Sequence, residues 1–147
     1  MRIVITGGAG FLGQRLARAI LGRGSLTDAR GDERPVREVV LVDVLPARSV
    51  ADARLRVVAG DLADPAVAAA AITPDTDSVF HLAAVVSGQA EADYDLGMSV
   101  NLDATRRLLD CCRALPAARL AGPGGWTAMT AGCAVAFAGA ALGAVPV

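Results

Sequence analysis

Four glycines crowd one short stretch, Thr6-Gly7-Gly8-Ala9-Gly10-Phe11-Leu12-Gly13. Two spacings are present at once, Gly8-x-Gly10-x-x-Gly13 and the wider Gly7-x-x-Gly10-x-x-Gly13. The chemistry this suits is anion binding. One glycine turns the chain tightly, Gly10 lets backbone approach phosphate oxygens, and Gly13 allows a close helix contact. A helix starting there offers free N–H groups and a partial positive charge to a pyrophosphate. Asp43 follows Gly13 by 30 residues and closes an apolar run. A carboxylate there can accept hydrogen bonds from both hydroxyls of an adenosine ribose and would repel a 2′-phosphate, which favours NAD over NADP. The usual spacing is about 20 residues. Arg48, nearby in sequence, would soften that exclusion. The plainer readings are a structural glycine turn and a solvated acid at a strand end.

These residues need a strand before the turn, a helix after it and a second strand ending in the acid. The pattern supplies all three. Residues 2–5 form a β-branched run, read as a buried strand. Phe11–Arg23 carries apolar residues at helical spacing and ends at Gly22 and Gly24. Residues 25–37 are polar and contain Pro35, so they read as a surface loop that explains the long spacing. Glu38–Asp43, Leu55–Ala59 and residues 78–82 read as further strands, each apolar throughout. Residues 64–72 read as a helix with Asp64 as N-cap and Pro65 in its first turn. Residues 88–115 read as mainly helical, broken near Gly97 and stopped by Pro116. The alternation predicts an α/β fold: a partial Rossmann-type, doubly wound parallel sheet of strand order 3-2-1-4, covered on both faces. A dinucleotide would lie across the carboxyl ends of its strands.

Composition narrows the partners. The net charge of −1 over 147 residues leaves no nucleic-acid footprint. Cys111, Cys112 and Cys133 lack a C-x-x-C spacing and read as reduced thiols of a cytoplasmic protein. The first apolar run is far too short for a signal-peptide core. All 14 basic residues are arginine, and the sequence has no lysine.

Five blocks resemble the extended short-chain dehydrogenase/reductases, the NAD-dependent epimerase/dehydratase family. They are TGGAGFLG at 6–13, LVD at 41–43, GDLAD at 60–64, HLAA at 81–84 and VNLDATRRLL at 100–109. They come in family order and span about residues 1–119. The long first loop and residues 79–97 look most like a sugar-acid dehydrogenase branch of that family. The resemblance implies that Gly7, Gly10, Phe11, Leu12 and Gly13 surround the NAD pyrophosphate and that Asp43 holds the ribose. It implies that Asp61 and Leu62 meet the adenine and that Leu82, Ala83 and Ala84 line the nicotinamide side. Asn101 would bond backbone near the site, and Ser87 would face a substrate. Each has a bland counterpart. Asp61 can simply cap a turn, His81 reads as a structural residue with both nitrogens satisfied, Asn101 as a mid-helix polar residue, and Tyr94 as a half-buried helix position.

Family members also use a Tyr-x-x-x-Lys pair, the tyrosine as acid/base and the lysine lowering its pKa. Without lysine that pair cannot form here, and Met98 stands at the lysine position after Tyr94. The expected hydroxyl pair falls near Ala131 and Gly132, and the family's C-terminal substrate-binding part is missing. No catalytic residue and no metal site is therefore assigned. Residues 1–119 read as an incomplete NAD-binding domain. Residues 120–147 read as a tail without charge and rich in Ala and Gly. Three readings of that tail stand: a frame-shifted segment, a membrane helix over 126–147, or a degenerate strand with a helix. The expected function is NAD binding, with catalysis incomplete in the sequence as written. The alternatives are a working sugar-acid dehydrogenase or an interaction or membrane-tethered module. NAD is the expected partner, beside a small-molecule substrate that the sequence does not name. Exposed apolar surface predicts self-association.

Overall fold

β-Branched residues favour extended backbone, and a run of them without a polar face favours a strand buried on both sides. The run at the N-terminus becomes β1 (Arg2–Thr6), buried at every position. The structure is a computed structural model that describes residues 1–28, 31–47, 51–115, 126–131 and 134–139. β1 is followed by α1 (Phe11–Arg23), then β2 (Ser25–Thr27), β3 (Glu33–Pro35), β4 (Glu38–Asp43) and β5 (Leu55–Ala59). Next come α2 (Pro65–Ala71), β6 (Ser78–His81), α3 (Ser87–Ala92) and α4 (Tyr94–Met98). A π-helical turn, Ser99–Asp103, leads into α5 (Ala104–Arg113).

The main sheet has the order β5-β4-β1-β6, all parallel, as the sequence pattern predicts. Thr6 pairs in register with Val42 and His81, and Asp43 with Ala59. The strands thus end together on one edge. Alternating side chains of β1 and β4 enter two cores. Val4, Val40 and Val42 pack with Val79, α2 and Leu108 of α5. Ile3, Ile5, Val39 and Leu41 pack with Phe80 and with Ala17 and Ile20 of α1. The chain is therefore doubly wound, with helices on both faces.

Four local expectations need correction. Residues 25–37 are not all loop, because β2 and β3 pair antiparallel from Ser25↔Pro35 to Thr27↔Glu33. Pro35 sits at the end of that ladder, where its missing N–H costs little. The hairpin also delivers Leu26 and Val36 to the α1 core. β5 is not covered on both faces: Arg56 and Val57 are exposed, as suits an edge strand carrying a charge. The break in 88–115 falls at Asp93, not at Gly97. Asp93 closes α3 and caps α4, its side chain accepting from Leu96 N at 3.0 Å. Gly97 is instead a packing residue, since a Cβ there would lie 2.8 Å from Ala90 Cβ. Finally, Tyr94 is 70% exposed rather than half-buried.

The tail also differs from a membrane helix. Its described backbone is an antiparallel pair, β7 (Trp126–Ala131) with β8 (Ala134–Gly139). Ala131 ends β7, while Gly132, Cys133 and residues 140–147 lie outside the described residues. Among the described residues no helix is long and apolar enough to cross a membrane. Cys111 and Cys112 are free thiols, and burial pushes the Cys112 thiol up to about 12.

Among the described residues, one charge sits inside the fold. Arg2 is 2% exposed, with Nε donating to Glu38 Oε2 at 2.7 Å. Its Nη1 donates to Ala71 O at 2.8 Å and Thr76 Oγ1 at 2.7 Å. Removing Glu38 takes away the hydrogen-bonded counter-charge and leaves the buried guanidinium with the more distant Asp75, whose Oδ1 is 3.9 Å from Nε. Glu38→Ala is expected to cost about 2 kcal/mol in urea denaturation. Arg2→Met in the Glu38→Ala background should recover part of that loss.

Candidate functional site

The aligned strand ends create a cleft of about 530 Å³. The turn after β1 forms one wall. Gly7 has φ +69°, and a Cβ there would meet Ala83 N and Leu82 C at 2.8 Å. Glycine is therefore required both by conformation and by the closeness of the strand leaving β6. Gly10 N–H donates back to Gly7 O at 3.1 Å, and the first helical bond runs from Gln14 N to Gly10 O at 3.0 Å. No side chain caps α1 at Gly10. The first-turn N–H groups of Phe11, Leu12 and Gly13 thus lack intrahelical partners, as at any helix start.

Asp43, at the end of β4, closes the lip beside that turn. Its Oδ2 accepts from Ala9 N at 2.8 Å and its Oδ1 from Leu45 N at 3.0 Å. The carboxylate is therefore held against the glycine turn and keeps lone pairs free for another donor. Asp61 accepts from Ala63 N at 2.8 Å, which is the turn-capping role, and it also lines the cleft. The loop after β6 forms the far wall. Thr6 Oγ1 accepts from Leu82 N at 3.1 Å and Ala83 N at 3.2 Å. Asn101, on the π-helical turn, clamps Val85 from both sides. Its Oδ1 accepts from Val85 N at 2.8 Å and its Nδ2 donates to Val85 O at 3.0 Å. An interrupted helix at such a place is a common functional device.

Of the residues singled out from sequence, Gly7, Gly10, Asp43, Asp61, Leu62, Leu82, Ala83 and Ala84 line this cleft together. Phe11 and Leu12 do not: their side chains are 78% and 61% exposed at the start of α1, leaving only their backbone toward the turn. Gly13 is buried behind it. A Cβ there would lie 2.3 Å from Gly7 O and 2.8 Å from Gly8 Cα, so the close contact is with the turn rather than the sheet. Asn101 acts on the wall without lining the cleft. Ser87 begins α3, but its side chain lies outside the described residues, as does Arg48.

The sequence reading missed Val44, Leu45, Val85, Gln89, Leu96 and Val100, which also line the cleft. Val44 and Leu45 carried a signal, being apolar residues directly after the strand-ending acid. Gln89, Leu96 and Val100 arrive by the folding back of α3 and α4, which no local pattern shows. His81 is 1% exposed, with Nδ1 2.6 Å from Thr6 Oγ1 and Nε2 2.9 Å from Thr105 Oγ1. Burial pushes its pKa down to about 4, and it stands beneath the cleft floor as a satisfied structural residue. Among the described residues no group of acids, histidines and cysteines is placed to hold a metal.

The model of the NAD dependent epimerase/dehydratase family matches residues 3–128. The chain belongs to this family. It is 59% identical over 115 residues to D-erythronate dehydrogenase of Cupriavidus necator, covering 78% of this chain and 35% of that protein. A nucleoside-diphosphate-sugar epimerase from Agrobacterium tumefaciens superposes with a TM-score of 0.66 at 40% identity, over 77% of this chain and 32% of the other. A dTDP-glucose 4,6-dehydratase from Streptomyces venezuelae, solved with NAD bound, gives 0.61 at 31% identity over 76% and 35%. The chain spans about a third of the length of the curated dehydrogenases it matches. Its Rossmann-like sheet thus corresponds to the NAD-binding part of longer oxidoreductases of the family.

Proposed function

We propose that this chain binds NAD across the carboxyl ends of β1, β4 and β6, as the NAD-binding portion of an epimerase/dehydratase-type oxidoreductase. The observation that carries this is Asp43, fixed by Ala9 N and Leu45 N at the lip of the cleft that the glycine turn borders. The residues fit the group. The uncapped first turn of α1 offers N–H donors to a pyrophosphate, and Gly7 and Gly10 leave room beside it. The Asp43 carboxylate accepts from ribose hydroxyls. Asp61 and Leu62 sit where an adenine would be met, and Leu82, Ala83 and Ala84 form the wall for the nicotinamide. NAD, when bound, supplies a hydride acceptor. The chain's own residues bind and orient it.

Acid–base chemistry is a separate matter. No Tyr-x-x-x-Lys pair occurs within these 147 residues. Binding without turnover is therefore the expected behaviour of this chain. A second reading, a dehydrogenase of a four-carbon sugar acid, is favoured by the 59% identity to D-erythronate dehydrogenase.

Calorimetry with NAD, NADP and ADP-ribose tests the first reading. NAD should bind more tightly than NADP. Asp43→Asn keeps the side-chain size but removes the charge, and should weaken NAD about tenfold while narrowing the gap to NADP. Absence of NAD binding to the unaltered chain would overturn the reading. NADH formation from NAD and D-erythronate above the buffer rate would replace it with the second.

A further inference from the structure

His81 is the only histidine of the sequence, and the cofactor groups described above do not use it. Its two neighbours nevertheless fix its chemistry. The Thr6 hydroxyl accepts from Leu82 N and Ala83 N, at 3.1 and 3.2 Å. Leu82 N shares its hydrogen with Thr6 O at 3.2 Å, but together with Ala83 N it occupies the acceptor side of Oγ1, and the hydroxyl proton is left for His81 Nδ1 at 2.6 Å. Nδ1 must therefore be the acceptor. On the other side, Thr105 Oγ1 donates to Asn101 O at 2.9 Å, which uses its only proton. It must accept from His81, so Nε2 at 2.9 Å carries the hydrogen. Two independent hydroxyls select the same tautomer. They also close a circuit. From Ala83 the bonds pass through Thr6, His81 and Thr105 to the backbone of Asn101, whose side chain returns to Val85.

We infer that His81 is a positioning residue: its neutral, Nε2-protonated imidazole ties both ends of the 83–85 wall to the fold and so holds the nicotinamide side of the cleft. Its effect on a bound dinucleotide rests on the NAD reading above, whereas the tautomer does not. A base would need a face open to a substrate. This imidazole is buried, with a hydroxyl on each nitrogen, so its work is geometric.

Two measurements test this. In protein labelled with 15N histidine, long-range proton–nitrogen correlations at pH 7 should show an unprotonated Nδ1 and a protonated Nε2. An Nδ1–H tautomer or an imidazolium would overturn the assignment. Thr105→Val keeps the shape but removes the acceptor, and should weaken NAD about tenfold while leaving ADP-ribose, which lacks the nicotinamide, within about twofold. Thr105→Ser should restore NAD binding. Equal losses for both ligands, or unchanged NAD affinity, would overturn the positioning role. If the unaltered chain binds neither ligand, the NAD reading and the positioning role toward it both fall, and the histidine spectrum still decides the tautomer.

Discussion

Gly13→Ala should destabilise the chain by about 3 kcal/mol and abolish NAD binding, whereas Gly22→Ala in the same helix should stabilise it by up to about 1 kcal/mol. The two substitutions add the same methyl group to α1. At Gly13 the new carbon would stand 2.3 Å from Gly7 O and 2.8 Å from Gly8 Cα. Both are backbone atoms, so no side chain can swing away. Relief requires α1 to withdraw from the turn. That motion moves Gly7, whose carbonyl receives the Gly10 N–H, and with it the floor of the phosphate cradle. At Gly22 nothing lies within 4 Å, the residue is exposed, and alanine has the better helix propensity. Urea denaturation of both variants, with NAD calorimetry on whichever fold, gives the comparison. Similar stabilities for the two would show that α1 is not seated on the turn through Gly13.

The same contrast explains what was legible in the sequence. β1, β4 and β6 are continuous apolar runs because both faces are covered, and such runs announce themselves without any tertiary information. The strand order followed from the alternation of strand and helix with a glycine turn at its head. Asp43 was legible because its place after an apolar run is a local fact. The β2–β3 hairpin was not. Its strands are three residues each, and Glu33–Pro35 is exposed at every position, so apart from Leu26, and Val36 just beyond β3, backbone pairing holds it and no apolar run announces it. Gly97 misled for a related reason. A glycine in a helical pattern suggests a break, but this one serves a contact with Ala90 that only the folded chain creates. Asp93, four residues earlier, carried the true signal as a capping side chain.

The site divides along the same line. The glycine turn and Asp43 were legible from their own spacing, and Asp61 and residues 82–84 through the family resemblance; all lie at or just beyond a strand end, where the parallel sheet brings them together. Phe11 and Leu12 fall in the same motif, yet the helical geometry turns their side chains outward and leaves only their N–H groups for a ligand. The helical wall of α3 and α4 is a product of chain reversal at Asp93, and its contributors share no spacing with the motif. The family resemblance implied that Asn101 bonds backbone near the site, and the bonds to Val85 N and O are of that kind; the residues alone showed only a polar position in a helix. The π-helical turn that aims it at Val85 is the tertiary part of that information.

Acidification between pH 6.5 and about 4 should remove about 3 kcal/mol of stability through His81 alone. The sign follows from the direction of the shift. In the unfolded chain the imidazole takes a proton near 6.5, while burial holds it neutral in the fold down to about 4. The unfolded state therefore binds more protons in this window, and stability is lost as the pH falls through it. Above 6.5 both states are neutral and the contribution is fully present. Below about 4 both are charged and the loss levels off. The structure supplies the cause of the cost. An imidazolium would need an acceptor on Nδ1, and the Thr6 oxygen facing it already accepts from Leu82 and Ala83. Protonation must break one of those bonds or eject the ring. The Asp52 carboxyl, held down to about 2 by its hydrogen bonds from Arg54, acts below 3.8 and so lies outside the window. Urea denaturation at half-unit pH steps measures the slope, and a His81→Gln variant, which cannot titrate, should flatten it between 6.5 and 4. A histidine resonance that titrates near 6.5 in the folded chain would remove the effect at its source. A resonance unmoved until the protein unfolds would show that the proton enters only when the circuit from Thr6 to Thr105 has opened.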